Sequence, residues 1–220
     1  MTKKLTLLLK EIFATSIIKT LYFNLHYFGI RGLCLPVLVS KRFKLKKMKG
    51  VVLLPQKLEG KIFLGRNDYE RMENFGYWSN AGTVCFLGNC HIGNGTHIFV
   101  TKNACLTLGN RVFIGGNDII SCDNSITIGA ETTLSWNVTI MDDDRHHILD
   151  ETGHKINPSM PISIGEHVWI GFDNRILKGA NIPNDCVVAA GSTITKNFSE
   201  SNLLLGNVNQ ILQTSVNWKA

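Results

Sequence analysis

Several things are scarce in this 220-residue chain, and each scarcity removes a class of protein. The six cysteines, Cys34, Cys85, Cys90, Cys105, Cys122 and Cys186, form no CxxC pair. Most sit in strand-like context, where a free thiol is a small apolar filler. The chain therefore reads as a protein of a reducing, cytosolic compartment, not a disulfide scaffold. Cys90, Cys105 and Cys122 recur at about one repeat length and are candidates to stack. No long apolar run exists. Lys3 and Lys4 open a short one that hints at a signal peptide, but Lys10 and Glu11 interrupt it, and no apolar span of about 20 residues follows. Aromatics make up 9% of the chain, and the one basic run, KRFKLKKMK (Lys41, Arg42, Lys44, Lys46, Lys47, Lys49), interleaves none beyond Phe43. Nucleic-acid binding finds no other support.

What is present is a period of six. Ile128, Leu134 and Ile140 are spaced by six; after a break, Ile164, Ile170, Ile176, Ile182, Val188 and Ile194 resume it. Internal repeats fix architecture first. Three hexads make one triangular coil of about 18 residues, and stacked coils bury a core that none could bury alone. Glycines such as Gly165, Gly171 and Gly191 suit positions beside the corners. The expected fold is all-β: a left-handed parallel β-helix, an exception to the right-handed crossover rule. Upstream the period is looser, running Ile92, Ile98, Ala104, Leu108, Ile114, Ile120, with shifts that predict irregular corners or bulges.

The expected organisation has three parts. Residues 1–60 form an N-terminal amphipathic helix, over residues 3–20, and a basic lead-in. The helix rests on Leu5, Leu8, Leu9, Ile12 and Phe13 sharing one face, and it either packs on the coil or lies on the inner membrane leaflet. The basic run is an edge strand with Phe43, Leu45 and Met48 turned inward, or a contact for an anionic membrane or substrate. Residues 61–198 form the coil domain, in which Tyr69, Tyr77 and Trp78 either stack on a sugar or plug the first coil. A loop at 146–160, bearing Gly153 and Pro158 and no hexad, projects from it. Residues 199–220 form a C-terminal cap with a short helix or strand.

The segments SIIKTLYFN, KLKKMKG, WSNAGTVCFLG, LSWNVTIMDDDRH and HVWIGFDNRILKGANIPNDCVVAAGSTITKNF resemble hexapeptide-repeat acyltransferases. Within them the chain is most similar to the bacterial O-acetyltransferases of surface-polysaccharide synthesis. The resemblance implies a cytoplasmic homotrimer with acetyl-CoA in the cleft between neighbouring coils and no required metal. It implies a histidine general base, matching His146, with His147 as the alternative and two plain surface histidines as the bland reading. Imidazole suits that role because its pKa lies near neutrality. Asp142 and Asp144 match the family's acidic positions, where a carboxylate would hold the imidazole's tautomer. Asp143 reads as solvated.

The resemblance points to Ser135, Trp169, Gly171, Phe172, Ala190, Thr195 and Lys196 for acetyl-CoA, with the oxyanion donor near Gly171 or Phe172. Trp136, Asn117, Asp123 and Arg145 are candidates for acceptor contacts; Arg145 replaces a usual aromatic and either meets an acidic sugar or faces solvent. Gln210 and Gln213 stand where relatives place cations, which shifts phosphate contacts toward Lys178 or Lys196. Peripheral membrane contact stays open. Competing readings are an N-acetyltransferase of a nucleotide-linked amino sugar, a non-catalytic trimeric scaffold, and a zinc enzyme on a similar coil. His146, His147 and His154 lack ligand spacing for the last.

Overall fold

The computed structural model describes residues 14–66 and 74–219. The chain winds through three parallel sheets in strict rotation. Sheet I begins at Val37–Val39 and Ile62–Arg66 and ends at Val187–Val188, Leu204–Gly206 and Gln210–Gln213. Sheet II runs from Phe43–Met48 to Thr193–Ile194, and sheet III from Val51–Leu53 to Asn181–Ile182. Among the described residues, every pairing between strands of these sheets is parallel except the last, Leu204–Gly206 with Gln210–Gln213.

The hexad residues form the core. On sheet I, Leu64, Ile92, Ile114, Leu134, Ile170 and Val188 occupy one register column. On sheet II, Trp78, Ile98, Ile120, Ile140, Ile176 and Ile194 do the same. Phe86, Leu108, Ile128, Ile164 and Ile182 complete sheet III. All are buried, each worth roughly 1.5–3 kcal/mol relative to exposure. Successive coils repeat after 18 residues from Ile176 to Ile194 but after 22 from Ile98 to Ile120. The upstream shifts are thus longer faces and corners. Ala104 is buried, yet the column belongs to Leu106 and Leu108.

Two expectations are revised. A helix spans Ile17–Phe28, capped by Ser16, whose side chain accepts the Lys19 N–H; residues 3–13, most of the expected N-terminal helix, and Tyr69 lie outside the described residues. The coil begins at Val37 and not at 61, because the basic run is itself a sheet II strand, Phe43 inward and lysines outward. It carries no hexad because a helix, not another coil, closes its open side. Cys90, Cys105 and Cys122 fall on three different sheets and cannot form one column. Trp78 does plug the first coils, edge-on against Phe23 at 5.3 Å. The C-terminal cap is a strand pair.

The helix buries its polar residues. Asn24 donates to the Val37 carbonyl and accepts the Val37 N–H; Thr20 treats Val39 the same way. Lys19 donates to the carbonyls of Lys41 and Phe43. These side chains satisfy the strand edge that the first coil would otherwise leave open. Gly32 fits beneath because a Cβ there would lie 2.2 Å from the Asn24 carbonyl oxygen.

Candidate active site

The break in the hexads is an arm. The chain leaves sheet II after Thr139–Met141 and returns at Ile162–Ile164. Its neck is closed by the Met160 N–H donating to the Asp142 carbonyl at 3.0 Å. Beyond it, Leu149 and Lys155 form an antiparallel bridge, with a turn at Gly153. His146 sits at the root of this arm, exposed, its imidazole without a hydrogen-bond partner among the described residues. His147 is equally exposed. His154, at the tip, is bonded to Thr152 and Asp150.

One residue not anticipated from sequence holds the root. Asn157, 8% exposed, donates to the His146 carbonyl at 2.8 Å and to Asp144 Oδ2 at 2.9 Å, and accepts the Ile148 N–H at 2.7 Å. All three bonds fix backbone or carboxylate around His146, and none of them involves its ring. An Asn before Pro158 in a polar loop carries no signal that distinguishes it from a turn residue.

The acidic run does not orient the imidazole. Asp142 is fully buried, and its oxygens accept the N–H groups of Asp123 and Asn124 at 2.6 and 2.9 Å. It braces the preceding corner. Asp144 pairs with Lys178, and this hydrogen bond, then that from Asn157, lowers its pKa. Asp143 is not simply solvated: it lies 3.7 Å from Lys155. Arg145 bends back onto the coil and donates to Ser121 at 2.7 Å and to Asp123 at 3.2 Å. Arg145 and Asp123, both expected to face an acceptor, neutralise one another. Lys178 likewise holds a carboxylate in place of a phosphate.

A second group lies one corner away, where sheet I turns into sheet II. Trp136 and Phe172 stack there at 5.6 Å and 17°. Asn117, Asn137, Asp173 and Gly191 take the successive left-handed corner positions of this edge, with φ from 54° to 70°. Asn117 is thus a corner residue, and its side-chain carbonyl accepts from Asn74. The Gly171 N–H donates to the Val188 carbonyl at 2.9 Å, so it is not a free oxyanion donor; a Cβ there would come within 2.9 Å of that same oxygen. Among the described residues the Phe172 N–H has no backbone carbonyl partner, while its carbonyl accepts the Gly191 N–H at 2.9 Å. Ala190 is exposed beside it.

On the outer face of sheet I, the Trp169 indole donates to Ser135 at 3.2 Å. Trp218, unforeseen, stacks on His167 at 4.5 Å and lies 6.2 Å from Trp169. Thr195 is held by Asn209 through both its N–H and its hydroxyl, whereas Lys196 is exposed. One copy of the chain therefore displays the histidine arm with Lys196 on one corner, and the Trp136–Phe172 stack with Ala190 on another.

Comparison with known proteins decides what kind of coil this is. Residues 161–196 match the hexapeptide repeat of succinyl-transferase. That match marks residues 161–196 of the coil as hexapeptide repeat. A Saccharomyces cerevisiae protein designated an acetyltransferase, YJL218W, is 36% identical over 55 residues, 25% of this chain and 28% of that protein. The bifunctional protein GlmU of Campylobacter hominis is 40% identical over 47 residues, 21% of this chain and 11% of its own length. The matched stretches thus span under a third of these relatives. The fold extends further: the solved structure of the polySia specific acetyltransferase NeuO superposes with a TM-score of 0.56, at 22% identity, over 82% of this chain and 90% of that one.

Proposed function

We propose that this hexapeptide-repeat protein is an acetyl-CoA-dependent O-acetyltransferase acting on a hydroxyl of a sugar used in surface-polysaccharide synthesis. The observation that carries the reading is the exposed imidazole of His146, without a hydrogen-bond partner among the described residues, on a root braced by Asn157 beside a hexapeptide coil. An imidazole free of carboxylates can take a proton from an incoming hydroxyl without first breaking a bond. The hydroxyl oxygen attacks the thioester carbonyl carbon as its proton passes to His146. The carbonyl electron pair becomes an oxyanion, for which the Phe172 N–H is the candidate donor. Collapse breaks the C–S bond, and the imidazolium returns the proton to the departing CoA thiolate. No metal ion enters these steps.

The two groups of site residues occupy separate corners of one coil, which favours a homotrimer in which the arm of one copy faces the Trp136–Phe172 corner of the next. Acetyl-CoA would lie in that cleft, in the cytosol, with Trp169 and Ser135 along its wall and Lys196 near a phosphate. Likeness in fold to the polySia specific acetyltransferase NeuO is consistent with a saccharide acceptor. The test is thiol release from acetyl-CoA across a panel of saccharides, comparing the native chain with His146→Ala. Release that depends on a saccharide and disappears in the variant is expected. Full release from His146→Ala would overturn the assignment of the base, and acetylation only of amino sugars would favour an N-acetyltransferase.

A further inference from the structure

The N-terminal end of the coil is closed by a helix facing the wrong way for a soluble surface. Its inner side carries Thr20, Phe23 and Asn24, because the open strand edges need hydrogen bonds. Its outer side is left with Ile17, Ile18, Leu21, Tyr22 and Leu25, of which Ile17 and Ile18 are 72% and 81% exposed. The turn that follows adds Ile30, 85% exposed, and Leu33, 59% exposed. Scattered exposed apolar residues are ordinary, but a contiguous set on one end is not. Beside it opens a groove of about 780 Å³, walled by Tyr27, Phe28, Leu53 and Leu58 and bordered by Arg31 and Lys61.

Charge is as one-sided as hydrophobicity. Residues 14–66 contain eleven Lys and Arg against one acid, Glu59, although the whole chain has 23 against 17. Lys44, Lys46 and Lys47 on the strand Phe43–Met48, with Lys41, Arg42 and Lys49 flanking it, border the helix, and all six are exposed. His26 reaches the Met48 carbonyl at 2.6 Å and Lys19 reaches that of Phe43, so helix and strand form one end surface. No helix among the described residues is long and apolar enough to cross a membrane.

We propose that this end docks on an anionic lipid surface. The outer face of the helix lies in the bilayer interface, and the lysines of the neighbouring strand meet lipid headgroups. An amphipathic helix with an apolar outer side and a cationic border has the chemistry of an interfacial anchor, and clustered basic residues add attraction to anionic leaflets that salt screens. Protein partners are less favoured: a basic rim around a continuous apolar face matches headgroups over acyl chains without any further feature. Docked this way, the coil axis points away from the membrane, with the histidine arm several coils above the surface.

The test is co-sedimentation of the full chain with phosphatidylcholine vesicles, with and without about one-third phosphatidylglycerol. About tenfold stronger binding to the anionic vesicles, falling with added salt, is expected. Replacing Ile18→Glu with Leu21→Glu should abolish it at an unchanged melting temperature, since both side chains point outward. The pair Lys46→Gln and Lys47→Gln should weaken it several-fold and flatten the salt dependence. Equal affinity for both vesicles would overturn the proposal. So would undiminished binding by the Ile18/Leu21 variant, or a smaller assembly in sedimentation velocity for that variant, which would give the face to a second copy of the chain. None of these readouts depends on acetyl transfer.

Discussion

Residues 142–160 and residues 162–180 are adjacent and of equal length, yet only the second becomes a coil. The register column steps 36 residues from Ile140 to Ile176, where the next step, to Ile194, takes 18. The arm is therefore one coil's worth of chain thrown out of the stack. Its isoleucines and leucine, Ile148, Leu149 and Ile156, are spaced by one and seven and are more than half exposed, and Met160 is 47% exposed. In the coil, Ile164, Ile170 and Ile176 are spaced by six and fully buried. Composition differs as well, with four apolar residues in the arm against nine in the coil. The decisive difference is whether an aliphatic side chain arrives inward once per face, and where it does not, the chain is free to carry a reactive group instead of a core.

The sharpest way to separate the two regions is to remove one side chain from each. His146→Ala should lower acetyl transfer by about 10²- to 10⁴-fold, the usual worth of a general base, while the melting temperature holds, because the ring is exposed and has no hydrogen-bond partner among the described residues. Steady-state rates with calorimetry on the same preparations decide this. Ile176→Ala should do the reverse, costing about 2–5 kcal/mol in urea unfolding through cavity formation. Ile156→Ala, in the arm, should stay within about 0.5 kcal/mol.

A smaller effect is expected at the arm's neck. Asn157→Ala frees two donors' partners and one acceptor's, and should cost about 1–3 kcal/mol locally. Faster hydrogen exchange or proteolysis at 148–156, with the coil's protection unchanged, would register it, together with a fall in kcat larger than any change in KM. If the coil loosens equally, the arm is not a separate unit.

The smallest effect concerns Asp118, buried under the coil wall with its oxygens accepting the N–H groups of Gly116 and Val138. Burial raises its pKa to about 8 from the ordinary 3.8. The folded state thus favours the neutral carboxyl. That contribution is complete below pH 3.8 and is lost as pH rises through about 8. The melting temperature should fall between pH 5 and 8 more steeply in the native chain than in Asp118→Asn; identical slopes would place the pH dependence elsewhere.

Much of the coil was legible because period six is a one-dimensional signal. From Ile164 to Ile194 every predicted inward residue is inward, since each face there is one hexad long. The upstream coils were blurred, because faces of four or five residues shift the spacing to 20 or 22. The first coil was missed, as its strand reads only as Phe43 alternating with lysines. At the site, the position of His146 at the mouth of the arm was foreseeable from the break in the period. The partners of Asp142, Asp144, Arg145 and Thr195 were not. Each is chosen by a residue 13 to 34 positions away on a neighbouring coil or across the arm, and nothing in local sequence encodes that contact.

Sequence alone determined the periodic core, the interruption and the identity of the group that interrupts it, because stacking rewards an aliphatic residue once per face whatever lies above or below. Tertiary structure decided everything that depends on unsatisfied edges and on register. It turned the helix so that Thr20 and Asn24 face inward, since an open strand demands hydrogen bonds more strongly than Ile17 and Ile18 demand burial. It also set the carboxylates onto lysines, arginine and backbone amides, leaving the imidazole of His146 clear.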